Sequence, residues 1–228
     1  MQPRVGPASL AATSAQQGTS RSEPGGTRQE QKERTRETIM ASALTLSQTY
    51  GFAQISLRQV AVQAGVVPTA FYRHFESMEN LGLVLVEQSF STLRAMIRDA
   101  QRNPSVFENI INASAEVLVE AVKNNKAHFA FVARERLGGT AAIRQAIAHE
   151  LNQFSTELAI MLGRLPHISR WAADDVQMVA QLFVRNMVSK AEDVTEIPDG
   201  RTDLEERIKE SARREMRLIV IGFKEWRS

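Results

Sequence analysis

The sequence predicts an all-α protein, with a small N-terminal head of three helices and a larger helical body. Three observations carry this. Apolar residues recur at three- and four-residue spacing along most of the chain. Aromatics are only 6% of residues, and Gly and Pro are modest beyond the N-terminus, so strand and hairpin signals are few. The stretch SLRQVAVQAGVVPTAFYRHF, residues 56–75, reads as two short helices joined by a Gly-bearing turn, a helix-turn-helix.

The elements follow in order. Residues 1–27 are rich in Ser, Thr, Ala, Gly, Gln and Pro and lack a hydrophobic period, which predicts a disordered arm. Arg21 and Arg28 give such an arm two cations for a minor groove; a tail without a role is the alternative. Arg28 to Tyr50 reads as a helix with Ile39, Ala43 and Leu46 on one face, ended by Gly51. Lys32 and Arg36 near its start suit phosphate contacts, against the alternative of a solvated helix end. Phe52 is expected to plug into the core. Ser56 is a natural N-cap for the next helix, whose apolar face is Leu57, Val60, Ala61 and Ala64. Gly65 stands where a positive φ is wanted. Pro68 opens the second helix, Thr69 to Phe75, because its missing N–H would be unpaired there anyway.

The outer side chains of that second helix suit a DNA groove. Ala70 is small enough to meet a thymine methyl, and Thr69 carries a hydroxyl for a base or phosphate. Tyr72, Arg73 and His74 place donors along a rim where phosphates would lie. Phe71 and Phe75, four apart, are expected to face inward. An ordinary helical corner is the bland alternative.

The run from Gly65 to Phe75 closely resembles the DNA-binding segment of the TetR family, whose recognition helix commonly ends in Tyr-x-His-Phe. The Thr-Arg-x-x-Ile sense of the first helix resembles it too. The resemblance implies that Tyr72 and His74 touch phosphates and that Pro68, Thr69 and Ala70 touch bases; Ser56 and Arg58, at the start of the preceding helix, join the DNA-facing set. The lysine many members place three residues past the phenylalanine is Met78 here, so that contact is not implied. A TetR-like architecture places the head at 28–76 and a ligand-binding and dimerisation body at 77–228.

In the body, Ser77 caps a long helix to about Gln101, and Asn103-Pro104 breaks the chain. Helical segments follow at 106–122, 127–136, 140–162, 171–192 and 204–226, with Gly138-Gly139, Pro166 and Pro198-Asp199-Gly200 as breaks. The resemblance implies a homodimer through the last two helices, set on a palindromic double-stranded operator; a monomer core is the alternative.

Two stretches, 56–88 and 131–154, are similar to TetR-family repressors of unsaturated fatty-acid synthesis and acyl-CoA desaturase genes. This implies a body cavity for the chain of a long-chain fatty acyl-CoA. Its candidate lining is Phe107, Val117, Phe129, Phe154, Leu158, Met161, Met178, Phe183 and Met187. Arg134, Arg136 and Arg144 are candidates for the anionic CoA end, since guanidinium suits phosphate; internal ion pairs are the alternative for the first two. Other open readings are a regulator of efflux or other metabolic genes with a different apolar ligand, a DNA-bound docking factor without ligand, and an acyl-binding enzyme or carrier.

Composition narrows the rest. With 43% hydrophobic and 24% charged residues the chain is ordinary for a soluble protein, and a net charge of +2 means that any DNA-facing charge must be local. No cysteine is present, which excludes a disulfide scaffold, a thiol nucleophile and Cys-based metal sites. The four histidines lack metal-ligand spacing, and no phosphate loop, Gly-x-Ser-x-Gly or dinucleotide fingerprint occurs. No apolar run matches a membrane span or a signal peptide. The expectation is a cytoplasmic non-enzyme without cofactor or metal.

Overall fold

The computed structural model describes residues 27–101, 110–165, 168–226 and 228. Among them are nine α-helices: α1 Arg28–Tyr50, α2 Leu57–Gln63, α3 Pro68–Phe71, α4 Met78–Gln101, α5 Ile110–Asn124, α6 Lys126–Gly138, α7 Ala141–Leu162, α8 Ala173–Thr195 and α9 Thr202–Gly222. The described residues hold no strand, as the sequence predicts. The expected arm lies outside them except for Thr27, and so do Arg21, the Asn103-Pro104 break, Phe107 and Pro166.

Local chemistry explains the helix starts. Thr27 closes a capping box with Glu30: its Oγ1 accepts the Glu30 N–H at 3.3 Å, and Glu30 Oε2 accepts the Thr27 N–H at 2.8 Å. Ser56 and Gln59 form the same box at α2. Ser77 Oγ accepts the Asn80 N–H at α4, and Thr140 Oγ1 accepts the Ile143 N–H at α7. Gly51 and Gly65 end α1 and α2 with φ of 78° and 67°, in the region that favours glycine.

The head and the body share one core. Ile39, Ala43, Phe52, Val60, Phe71 and Phe75 of the head are buried with Leu81 and Phe90 of α4, Phe131 of α6 and Ile143 of α7. Phe52 meets Phe131 edge-on, with ring centres 5.7 Å apart. Gly82 lets this happen, because a Cβ there would stand 2.7 Å from both Phe52 and Ile143. Behind this core, α8 packs on α7 and α9, and α5 fits between α8 and α9. No helix among the described residues is long and apolar enough to cross a membrane.

Candidate nucleic-acid interface

The turn between α2 and α3 is built as the sequence predicts. Val60 and Ala61 are buried, with Leu57 and Ala64 half-buried beside them. The Val66 N–H donates back to the Ala61 carbonyl at 2.9 Å, closing the corner. Pro68 then opens α3.

The regular part of α3 is shorter than the sequence suggests: it covers Pro68–Phe71, not Thr69 to Phe75. Beyond Phe71 the chain tightens. The Arg73 and His74 N–H groups donate three residues back, to Ala70 and Phe71 carbonyls at 3.2 and 2.9 Å. A β-branched residue and three aromatics in the seven positions 69–75 give weak helix propensity, so tertiary anchoring shapes the segment. The anchors are Phe71 and Phe75, both fully buried with ring centres 5.6 Å apart. Burying each contributes about 1.5–3 kcal/mol.

This anchoring turns the opposite edge outward. Pro68, Thr69, Tyr72 and Arg73 are exposed, and Ala70 is half-buried between them. Val67, the last residue of the turn, is 64% exposed at the head of α3. An exposed Val beside Pro68 and Ala70 adds an apolar surface that suits a thymine methyl. Lys32 and Arg58 are exposed on α1 and α2. Ser56 has its hydroxyl engaged with Gln59, in the α2 cap.

Two of the expected phosphate ligands look different in detail. Arg36 is half-buried, its guanidinium 4.6 Å from the centre of the Phe75 ring and donating to the His74 carbonyl at 3.2 Å. His74 is half-buried, and its Nδ1 is buried without a partner. Burial first, then the Lys32 and Arg36 cations, pulls its pKa below 6.5, with Glu33 opposing and Arg73 adding slightly. His74 therefore presents a neutral imidazole at neutral pH, a single N–H donor without charge.

In the body, the candidate ligand residues fall into separate apolar clusters. Phe154 packs on Phe90, 5.7 Å between ring centres, with Arg94 over its face. Phe129 is buried between α5, α6 and α8. Phe183 packs on the Ala115, Ala212 and Met216 cluster, and Met187 bridges it to that of Phe129. Leu158 is half-buried, while Met161 and Met178 are exposed. Val117 lines an open groove of about 530 Å³ between α5 and α9.

The three arginines expected at a cavity mouth have intramolecular partners. Arg134 Nη1 donates to the Ser47 and Gln48 carbonyls at 3.2 and 2.8 Å, closing the C-terminal end of α1. Arg136 pairs with Glu192 of α8 at 2.6 Å, the ion-pair alternative. Arg144 donates to the Gly139 carbonyl at 2.5 Å. Between the first two lies Glu135, only 2% exposed, whose Oε1 accepts the Phe52 N–H at 2.8 Å. Three consecutive residues of α6 thus hold α1, the turn after it, and α8. Sequence reasoning missed this because the partners of Arg134 and Glu135 stand more than eighty residues upstream and that of Arg136 lies two helices downstream; a carboxylate inside an apolar helix run was the available signal.

Residues 39–83 match the family described as bacterial regulatory proteins, tetR family. The fold is shared with solved regulators. One is a transcriptional regulator from Rhodococcus sp. Rha1, 17% identical over 82% of this chain and 96% of that one, with a TM-score of 0.64. Another is the fatty acid degradation regulator FadR from Bacillus halodurans, 15% identical over 80% and 94%, with a TM-score of 0.62. A third is AibR, solved with isovaleryl coenzyme A and operator DNA, 14% identical over 78% and 96%, with a TM-score of 0.60. At these identities the likeness is one of fold. The family match falls on the helix-turn-helix and its flanks, the part of the chain that carries the outward edge of α3.

Proposed function

We propose that the chain is a repressor that binds a palindromic operator as a homodimer and responds to long-chain fatty acyl-CoA, controlling genes of fatty-acid synthesis or desaturation. The observation that carries the DNA half is the outward edge from Val67 to Arg73 above the buried Phe71 and Phe75. Its Pro68, Thr69 and Ala70 read bases, while Tyr72, Arg73 and His74 meet the backbone. Lys32 and Arg58 extend the phosphate-facing side. Exposed apolar residues on the last two helices, Met178 and Leu182 on α8 with Leu218 and Ile221 on α9, support pairing with a second copy. Two heads spaced about one DNA turn, roughly 34 Å, then meet successive major grooves.

The acyl-CoA half is supported by the two stretches that resemble desaturase-gene repressors. It is also supported by a shared fold with FadR and with the isovaleryl coenzyme A complex of AibR. A ligand changes DNA affinity only if it binds two body conformations unequally. Helix α6 provides a route for such a change, since Arg136 ties it to α8 while Arg134 and Glu135 tie it to the head. A second reading keeps the regulator and replaces the effector with an apolar molecule that lacks a CoA end. The internal engagement of Arg134 and Arg136 favours it.

The test is titration of the full-length protein onto duplex DNA from upstream of its own gene, at fixed salt. Palmitoyl-CoA, oleoyl-CoA and free CoA are added in parallel. The acyl-CoA reading expects either acyl-CoA to change operator affinity at least about tenfold, with free CoA inert, a coupling within the usual allosteric range. Tight binding unmoved by both acyl-CoAs would leave the regulator and remove the lipid effector.

A further inference from the structure

The recognition segment ends abruptly. Only Pro68–Phe71 are regular helix, and the chain then leaves through Tyr72, Arg73 and His74 into the buried Phe75. Carbonyls at a helix C-terminus carry partial negative charge and need donors. Within α3 the Phe71 carbonyl accepts from the His74 and Phe75 N–H groups, and Arg36, thirty-eight residues before His74 on α1, supplies a donor to the His74 carbonyl beyond it. Its Nη1 donates to the His74 carbonyl at 3.2 Å, and the guanidinium stands 4.6 Å from the centre of the Phe75 ring. A planar cation is thus joined at once to a ring face and to the segment's terminal carbonyl. Both partners belong to the segment that carries Pro68, Thr69 and Ala70. Any tilt of that segment in the groove must break one or both contacts.

We propose that Arg36 is a positioning residue: by closing the C-terminal end of the recognition segment over Phe75, it fixes the angle at which Pro68 to Arg73 meet the bases, instead of neutralising a phosphate. The proposal rests on the DNA-binding reading above and deepens it. Two kinds of evidence separate the roles. A phosphate ligand contributes the same amount to every DNA sequence, and its loss lowers the salt slope of log K by about one. A positioning residue contributes to the operator and little to other DNA, and its loss leaves the slope unchanged. The Lys substitution sharpens the contrast. It keeps the charge a phosphate needs, but not the flat guanidinium that lies on Phe75 while donating to His74.

The experiment uses the full-length protein with Arg36→Lys and Arg36→Met. Operator DNA is the duplex selected from a random pool by the wild-type chain, and the reference is a scrambled duplex of equal length. Affinities are measured at several salt concentrations, with circular dichroism to check that the helices are retained. Both variants are expected to lose at least about tenfold in operator-over-scrambled preference, the scale of one misplaced base contact. Their salt slopes and their affinities for the scrambled duplex stay at wild-type values. The proposal is overturned if Arg36→Lys behaves as wild type while Arg36→Met lowers the slope by about one on both duplexes. Should Arg36→Met fail to fold, Arg36→Lys decides alone, since wild-type preference in it also overturns the proposal. A wild-type chain that selects no sequence would defeat the DNA-binding reading itself, and this proposal with it.

Discussion

His128 shows how one half-buried side chain ties stability to pH. Its Nδ1 lies 2.9 Å from the hydroxyl of the buried Ser89, which itself donates to the Leu85 carbonyl at 2.7 Å. Burial lowers the His128 pKa below 6.5. Between that lowered value and 6.5 the unfolded chain binds more protons than the folded one, so stability rises with pH across this window. The contribution is complete above 6.5 and is lost as pH falls through the folded value. Urea midpoints measured from about pH 7.5 to about pH 5 should fall as acid is added, and more steeply than in His128→Gln. His74, shifted the same way, leaves that variant some residual slope. Equal pH profiles for wild type and His128→Gln would show that His128 takes no part.

Helix α6 is the element on which head and body meet. Its Glu135 carboxylate is buried, accepts the Phe52 N–H, and sits beside a corner where a Cβ at Gly139 would fall 2.6 Å from the Glu135 carbonyl. Removing the carboxylate strands a buried N–H, which costs about 1–3 kcal/mol. In a chain of this size that lowers Tm by several degrees, roughly 2–4 °C for each kcal/mol. Glu135→Ala should show this loss in a thermal melt, and Glu135→Gln, which keeps a carbonyl oxygen in place, should recover most of it. An unchanged melt for Glu135→Ala would mean that the clamp contributes little. Helix ends were legible in the sequence because their chemistry is local: Ser56 with Gln59, Ser77 with Asn80, Thr140 with Ile143, and Gly51 and Gly65 at positive φ. The short regular run of α3 was not legible. It follows from how Phe71 and Phe75 lodge in a core formed with α1 and α4, which no seven-residue pattern encodes.

Across the whole molecule, the helical class, the order of elements and the outward exposure of Pro68, Thr69, Tyr72 and Arg73 could be read from residue spacing and from the run ending Tyr72-Arg73-His74-Phe75. What could not be read was the partner of each charge. Arg36 suits a phosphate in sequence, and Arg134 and Arg136 suit a phosphate or an internal pair; in the structure each is held by a distant part of the chain. A guanidinium on a helix has the same neighbours in sequence whether it faces water or another helix. The same limit applies to the body, where Phe129, Phe154 and Phe183 keep helical spacing yet occupy different clusters. The central claim is that the edge from Pro68 to His74 reads DNA. The measurement that tests it most directly is equilibrium binding of full-length wild type, Ala70→Glu and Tyr72→Phe to the wild-type-selected duplex and to a scrambled one. A carboxylate at position 70 should abolish operator preference. Loss of the Tyr72 hydroxyl should weaken both duplexes by a similar factor. Wild-type operator affinity in Ala70→Glu, with the fold intact, would contradict the account.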